Sequence, residues 1–154
     1  MLNRDKYSDF QAWEKTTIRV RYADTDRMGV VYHANYFVYF ESERAELIRN
    51  LWKPYSQLEK EGLLLPILEA FCRYRKGAEY DDVLTVGTRV VDLSSTRLRF
   101  EYQIYLGDET NLIAEGYTEH CFTGLDGKPR RMPEDLKRIL TRPSQKLTSN
   151  GSNL

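Results

Sequence analysis

The sequence has few cysteines and no motif that would pair them or hold a metal. Its 154 residues include two cysteines, Cys72 and Cys121, which are far apart and fall in predicted strands. No CxxC motif is present, and the two histidines, His33 and His120, lack the HxxxH spacing of a metal site. We therefore predict free thiols and no metal. With no secretory signal before the cysteines, we expect a cytoplasmic protein.

An excess of charge of one sign and long apolar runs are also missing. Lysine and arginine number 23, as do aspartate and glutamate, so the formal net charge is zero. The chain therefore lacks the global positive field that drives non-specific binding to nucleic acid. The longest apolar stretch, residues 63–70, is interrupted by Pro66 and Glu69 and is too short to cross a bilayer. We expect no nucleic-acid partner and no membrane span.

The length of the chain predicts one domain with a short polar segment at each end. Residues 1–15 are polar, with Phe10 and Trp13 as the large apolar residues, and we interpret them as an N-terminal arm. Residues 16–140 form the predicted domain. Residues 141–154 are rich in Ser, Thr, Asn and Gly, so we expect a flexible polar tail.

Apolar periodicity in the domain predicts a strand, a long helix and then a run of strands. Ile18, Val20 and Tyr22 alternate with polar residues, which indicates a half-buried strand that ends near Ala23. An amphipathic helix is predicted at 36–52 and a short helix at 55–61. Further strands are predicted at 63–74, 83–93, 97–106 and 112–122, before a short C-terminal helix that begins within 132–136. This order indicates an α+β fold, with the helix on one face of an antiparallel sheet.

The segment between the first strand and the long helix, RYADTDRMGVVYHANY at residues 21–36, contains two carboxylates, a glycine and a histidine. A carboxylate on a turn that leads into a helix lies near amides without intrahelical partners, and these amides favour negative charge. One element could therefore supply a base or nucleophile together with an oxyanion site. The structural alternative is that Asp26 only caps the helix or completes the turn.

This segment resembles the active-site segment of hotdog-fold acyl-CoA thioesterases of the 4-hydroxybenzoyl-CoA thioesterase and YbgC-like type. The similarity continues through FESER at 40–44, GLLLP at 62–66, YDDVL at 80–84 and STR at 95–97, and it covers roughly residues 16–140. The resemblance implies a hotdog fold, in which an antiparallel sheet wraps around a long central helix. It also implies a homodimer, often doubled to a homotetramer, with active sites at the subunit interface.

The resemblance implies roles for two residues of the motif. Asp26 matches the catalytic carboxylate of the family, which acts either as the nucleophile, through an anhydride, or as a general base toward water. His33 matches the residue whose main-chain amide hydrogen-bonds the thioester carbonyl oxygen, and a side-chain role for its imidazole stays open. Asp24 does not match the catalytic position, and we interpret it as a turn or interface residue.

Five further residues are candidates for binding the substrate. Tyr32 and Asn35 would line the acyl pocket or help to hold the loop, and packing explains either equally well. Ser95, Thr96 and Arg97 match the phosphate-contacting region of the family, where hydroxyls and a guanidinium suit coenzyme A. The alternatives are a solvated strand face, or cations supplied instead by Arg99, Arg73 or Lys76.

The leading functional hypothesis is an acyl-CoA thioesterase that releases a free acid and coenzyme A and needs no cofactor. A first alternative is a thioesterase specialised for aromatic acyl-CoA, of hydroxybenzoyl or dihydroxynaphthoyl type, or for an acyl-carrier protein. Tyr32, Tyr36 and Tyr39 could build an aromatic cage or plain core, so they do not decide between these substrates. A second alternative, of another class, is a non-catalytic acyl-CoA-binding protein.

Overall fold

Segments of alternating apolar and polar residues form a single antiparallel sheet. The structure is a computed structural model that describes residues 13–141, without the side chains of Asp92 and Leu93. Its strands are β1 (Glu14–Arg19), β2 (Ile67–Tyr74), β3 (Val83–Leu93), β4 (Arg97–Leu106) and β5 (Leu112–Cys121). They lie in the order β1-β3-β4-β5-β2, and each strand is antiparallel to its neighbours. The strands β1 and β2 are therefore the two edges of the sheet.

One long helix, α1 (Asn35–Leu51), packs on the inner face of this sheet. Its buried residues recur every three or four positions, as an amphipathic helix requires, and Phe40, Leu47 and Ile48 are fully buried. The Phe40 ring stacks on Tyr102 of β4 with 4.3 Å between centroids. Two short helices follow elsewhere in the chain, α2 (Tyr55–Lys60) and α3 (Glu134–Thr141). The α+β class predicted from the sequence is confirmed.

Two strand boundaries differ from the prediction by more than one residue. The first strand ends at Arg19, and Tyr22 lies in a 3-10 turn with 78% of its surface exposed, so the predicted inward position of Tyr22 is wrong. The reason is local, because the Asp24 carboxylate accepts a hydrogen bond from the Arg21 amide and turns the chain. Strand β2 begins at Ile67 instead of residue 63, after Pro66, which has no N–H to donate to a ladder.

The predicted terminal segments lie largely outside the described residues. The structure begins at residue 13, within the predicted arm 1–15, and strand β1 already includes Glu14 and Lys15. Helix α3 ends at Thr141, where the predicted tail 141–154 begins. Among the described helices, none combines the length and the apolar character needed to cross a membrane.

Glycine at position 116 allows the edge strand β2 to approach β5 and α1 closely. A Cβ on Gly116 would lie 2.1 Å from the Phe71 carbonyl oxygen of β2 and 2.9 Å from the Phe40 ring of α1. Real Cβ atoms do not tolerate the first distance. Only glycine therefore fits at this point of the sheet.

A chain of polar side chains crosses the core beneath α1. The Arg44 guanidinium donates to the Tyr102 hydroxyl at 2.9 Å, and Tyr102 is hydrogen-bonded to the Thr118 hydroxyl at 2.6 Å. His120 Nε2 lies 2.9 Å from Thr118, and its Nδ1 lies 2.9 Å from the Leu65 carbonyl oxygen. Burial is the main reason that the pKa of His120 falls to about 4, so the ring is neutral.

A second buried polar group, Glu43, lies on α1, and no cation within residues 13–141 pairs with it. One of its oxygens accepts a hydrogen bond from the Thr16 hydroxyl of β1, and the other has no partner among the described residues. Burial, assisted by the charges of Glu14 and Glu46 and opposed by the Thr16 bond, raises the pKa of Glu43 to about 7. This carboxyl group therefore carries little charge below neutral pH.

Candidate active site

The motif between β1 and α1 forms a small hairpin. Thr25 and Val31 make an antiparallel bridge, and within it the Asp26 amide donates to the Val30 carbonyl at 2.8 Å. The Gly29 amide closes the turn onto the Asp26 carbonyl at 3.0 Å. Gly29 has φ +83°, a conformation that other residues adopt only with strain. Gly29 therefore allows the tight turn of this hairpin.

The hairpin is fastened to the segment that follows β2. The Val31 amide donates to the Ala78 carbonyl at 2.8 Å, and Val30 forms an antiparallel bridge with Glu79. A Cβ on Gly77 would lie 3.0 Å from the Val30 side chain, so the two segments touch there. The hairpin is thus held by backbone contacts to the body of the protein.

Asp24 is a structural carboxylate. It is buried, and it accepts hydrogen bonds from the Arg21 side chain and amide and, at 3.0 Å, from the Tyr39 hydroxyl. Burial tends to raise the pKa of Asp24, but these hydrogen bonds outweigh burial and hold the pKa below its usual range. Its backbone carbonyl accepts from the Tyr32 amide and from the Asn35 side chain. Asp24 therefore holds the loop to the start of the helix.

Asp26, two residues later, has very different surroundings. Its side chain is half-buried, and Oδ1 accepts a hydrogen bond from the Met28 amide at 2.9 Å. Within residues 13–141, Oδ2 receives no hydrogen bond from the protein. The turn thus fixes one oxygen of the carboxylate and leaves the second available to a ligand or to water.

The start of helix α1 also leaves donors available. No described side chain caps the helix at Ala34. The Asn35 amide donates to the Tyr32 carbonyl at 2.9 Å and the Tyr36 amide to the His33 carbonyl at 3.4 Å. The amides of His33 and Ala34 make no hydrogen bond within the described part of the chain. Free amides at a helix start attract negative charge.

Asp26 and the helix start meet in one cleft of about 320 Å³. Ten residues from the hairpin, the helix start and the end of β2 line it: Asp26, Met28, Val30, Val31, His33, Tyr36, Tyr74, Arg75, Lys76 and Gly77. Val31 and Tyr36 are buried and supply an apolar wall, whereas Arg75 and Lys76 bring positive charge. Arg75 is paired with Glu115 at 2.7 Å. The cleft can therefore hold a partly apolar group with an anionic extension.

The structure brings together the two predicted catalytic residues but not the predicted substrate-binding residues. Tyr32 is half exposed, with its ring 4.5 Å from the His33 ring, and Asn35 is committed to the Asp24 carbonyl. Neither lines the cleft. Thr96 and Arg97 lie at the other end of the sheet, where the Arg97 guanidinium is 3.4 Å from the Glu119 carboxylate. The ten residues of β4 separate the two ends by about 30 Å.

Sequence reasoning missed Tyr74 and Arg75 as cleft residues. Both follow from the way β2 ends beside the helix start, and the Tyr74 hydroxyl donates to the His33 carbonyl at 2.8 Å. Tyr74 and His33 are 41 positions apart in sequence, so no local pattern links them. The sequence signal for these cleft residues was weak: a tyrosine and two cationic residues at the end of a predicted strand. Within the described residues, the cleft included, no cluster of three His, Cys, Asp or Glu side chains could hold a metal ion.

Comparison with known proteins gives a consistent family. The sequence model of the thioesterase-like superfamily matches residues 20–140. A putative esterase from Aquifex aeolicus is 36% identical over 122 residues, which are 79% of this chain and 93% of the relative. The acyl-CoA thioester hydrolase YbgC from Escherichia coli O6:H1 is 31% identical over 119 residues, which are 77% and 89% of the two chains.

A solved structure supports the same assignment. A DHNA-CoA thioesterase from Staphylococcus aureus superposes with a TM-score of 0.78 at 33% sequence identity, covering 82% of this chain and 87% of its own. The resemblance to YbgC-like thioesterases and the hotdog fold, both predicted from the sequence, are confirmed. The chain therefore belongs to the thioesterase-like superfamily, a family of thioester hydrolases.

Proposed function

We propose that this protein is an acyl-CoA thioesterase in which Asp26 drives hydrolysis and the start of α1 binds the thioester carbonyl oxygen. One observation carries the proposal: the half-buried Asp26 carboxylate, with one free oxygen, shares a cleft with the uncapped helix start at His33. A thioester carbon placed between them would meet a base or nucleophile on one side and amide donors on the other. The relatives named as acyl-CoA thioester hydrolases support the same reaction.

Each part of the cleft has a chemical task in this reaction. The His33 amide would stabilise the negative charge that develops on the carbonyl oxygen, an effect worth about 3 kcal/mol per donor. Asp26 either attacks the acyl carbon, with coenzyme A leaving as its thiolate, or removes a proton from the attacking water. The His33 imidazole is exposed at the cleft, where it could orient water or protonate the leaving thiolate.

Aromatic acyl groups are a second candidate class of substrate. Tyr36 and Tyr74 both line the cleft and meet edge to face with 5.2 Å between ring centroids. An aromatic acyl ring would find favourable edge and face contacts there. The structural relative named as a DHNA-CoA thioesterase supports this class. A carrier-protein substrate has no comparable observation in its favour.

We further propose that the protein works as a homodimer paired through the edge strand β2. Ile67, Leu68, Phe71 and Tyr74 all lie on this strand with between 40% and 50% of their surface exposed. An apolar edge strand with free backbone groups favours pairing with a second copy. A doubled dimer, as a homotetramer, would need a second interface. The two free thiols support a location in the reducing cytoplasm.

Such a dimer would bring the predicted catalytic residues of one copy close to the predicted phosphate-contacting residues of the other. If β2 pairs with the partner's β2 about a two-fold axis, the strands run antiparallel. The Tyr74 end of one copy, with its cleft, then lies beside the Ile67 end of the other, where Thr96 and Arg97 are found. The phosphates of coenzyme A could therefore reach these residues from the partner, in addition to Lys76 at the cleft itself.

The test is hydrolysis of a panel of short, medium, long-chain and aromatic acyl-CoA thioesters, followed by release of free thiol. Asp26→Asn should lower kcat at least about 100-fold, because it removes both the base and the nucleophile. Asp126→Asn is a matched control, since Asp126 accepts the Lys128 amide two residues later, as Asp26 accepts that of Met28. The control should retain wild-type activity.

The outcomes separate the hypotheses. Equal rates for Asp26→Asn and the wild type would overturn the proposed mechanism. Binding of acyl-CoA without turnover of any thioester would favour the non-catalytic alternative. The substrate with the highest kcat/KM would decide between aliphatic and aromatic acyl groups.

A further inference from the structure

Tyr74 connects the edge strand β2 to the start of helix α1. It is the last residue of β2, and its hydroxyl donates a hydrogen bond of 2.8 Å to the His33 carbonyl oxygen. The same carbonyl receives only a long bond of 3.4 Å from the Tyr36 amide. The Tyr74 hydroxyl is therefore the principal donor to this peptide group.

The Tyr74 side chain is well placed to keep this hydrogen bond. Its ring lies edge to face against the Tyr36 ring, at 5.2 Å, and against the His33 ring, at 6.3 Å. Burial is the main cause that raises the pKa of Tyr74 to about 12. The hydroxyl therefore keeps its proton and remains a donor throughout the physiological range of pH.

Fixing the His33 carbonyl also fixes the amide of the next residue. In a trans peptide group the C=O and N–H bonds are coplanar and point in opposite directions. Because Tyr74 holds the His33 carbonyl, it sets the direction of the Ala34 N–H, which makes no hydrogen bond within the described residues. A hydrogen bond accepted by the carbonyl also polarises the peptide group and makes its N–H a stronger donor.

The neighbouring amide is held in a different way. The His33 N–H belongs to the peptide group whose carbonyl is that of Tyr32, and the Asn35 amide donates to this carbonyl at 2.9 Å. A backbone amide thus holds the peptide group between Tyr32 and His33, whereas the Tyr74 side chain holds the one between His33 and Ala34. Ala34 is not itself one of the residues that line the cleft, but it follows His33, which is. We propose that Tyr74 is a positioning residue that turns the Ala34 amide toward the cleft, as a second donor to the thioester carbonyl oxygen. This inference rests on the proposed thioesterase function.

Tyr74→Phe tests the inference because it keeps the ring and removes only the hydroxyl. We expect kcat to fall about tenfold, since a donor to the transition state is misdirected without being removed, and KM to change less than about twofold. In the ¹⁵N-labelled protein, the amide resonance of Ala34 should shift. Tyr117→Phe is the matched control, because it also removes one tyrosine hydroxyl hydrogen bond, from Tyr117 of β5 to Glu69 of β2, outside the cleft.

Several results would overturn the inference. The first is a wild-type kcat in Tyr74→Phe while Asp26→Asn is inactive, which would leave the proposed function intact. The second is an equal loss of kcat in Tyr74→Phe and in Tyr117→Phe. If the wild type hydrolyses no thioester, the proposed function fails. The Ala34 amide resonance of Tyr74→Phe then tests positioning by itself. An unshifted Ala34 amide then refutes positioning by Tyr74, and a shifted one supports it.

Discussion

Two aspartates separated by a single residue have opposite surroundings in this protein. Asp24 is buried and receives hydrogen bonds from Arg21 and Tyr39, whereas Asp26 is half-buried with one oxygen free. A carboxylate that is fully hydrogen-bonded stabilises the native state, while one with a free oxygen can react. The environments therefore assign stability to the first residue and chemistry to the second.

Substitution of each aspartate by asparagine should separate these two roles. Asp24→Asn should lower the free energy of unfolding by about 1–3 kcal/mol, because a buried acceptor of several donors loses its charge. We expect the folded fraction to keep most of its kcat. Asp26→Asn should leave the unfolding free energy within about 0.5 kcal/mol of wild type, as is usual away from buried networks.

Urea unfolding and thioester hydrolysis, measured on the same preparations, check this contrast. A stable, inactive Asp24→Asn together with an active Asp26→Asn would reverse the assignment.

The sequence predicted Asp26 and His33 because they lie in one short segment with a specific family motif, and the structure places both at the cleft. It did not predict Tyr74, whose contact with His33 spans 41 positions and depends on how β2 ends. Asn35 was interpreted as either a pocket or a loop residue, and its hydrogen bond to the Asp24 carbonyl favours the loop. Side-chain partners distant in sequence are set by tertiary packing, which local patterns do not encode.

At the scale of elements, strand β2 contributes both to the sheet edge and to the cleft. On one side it pairs with β5, and on the other it is a free edge with exposed apolar residues. Its end also contributes Tyr74 to the cleft. Pairing of β2 with a second copy should therefore stabilise the cleft as well as the sheet.

Leu68→Lys should weaken the proposed dimer, because a two-fold axis brings a lysine from each copy to the same interface. We expect the dimer Kd to rise at least about 100-fold, since juxtaposed like charges cost several kcal/mol. Leu125→Lys is the control, as Leu125 lies in an exposed turn after β5. Sedimentation velocity at micromolar concentration should show a dimer or larger assembly for the control and the wild type. A monomeric wild type, or a dimeric Leu68→Lys, would refute pairing through β2.

Most elements were predictable because their periodicity is clean. Strand β4 alternates buried and partly exposed residues over most of its length, and the predicted bounds 97–106 match it. The errors came where one side chain overrides the pattern. The Asp24 carboxylate ends β1 early by binding the Arg21 amide, and Pro66 delays the start of β2. Each of these errors comes from a single interaction, which a periodicity averaged over many residues does not reveal.

At the scale of the whole molecule, two buried groups titrate in opposite senses. The pKa of His120 is lowered from 6.5 to about 4, so its contribution to stability is complete above pH 6.5 and is lost as the pH falls toward 4. The pKa of Glu43 is raised from 4.5 to about 7, so stability is lost as the pH rises from 4.5 to 7. Between pH 4.5 and 6.5 these two effects on the free energy of unfolding nearly cancel.

Glu43→Gln should remove this cancellation. The free energy of unfolding of the variant should rise by about 1.4 kcal/mol per pH unit between pH 4.5 and 6.5, while that of the wild type stays nearly constant. At pH 8 the variant should be more stable than wild type by up to about 3 kcal/mol, because a buried charge is gone.

Glu59→Gln, on the exposed face of α2, should follow the wild-type curve. Urea unfolding as a function of pH measures all three proteins. Parallel curves for wild type and Glu43→Gln would show that the pKa of Glu43 is not raised in the native state.

The missing side chain at Gly116 affects more than local packing. With only a hydrogen there, β2 can lie close against β5, because the Phe71 carbonyl oxygen occupies the space that a methyl group would need. Three residues farther along the same strand, Tyr74 donates its hydroxyl hydrogen bond to the His33 carbonyl. The close fit of β2 that this glycine permits is thus one condition for the contact between the end of β2 and the start of α1.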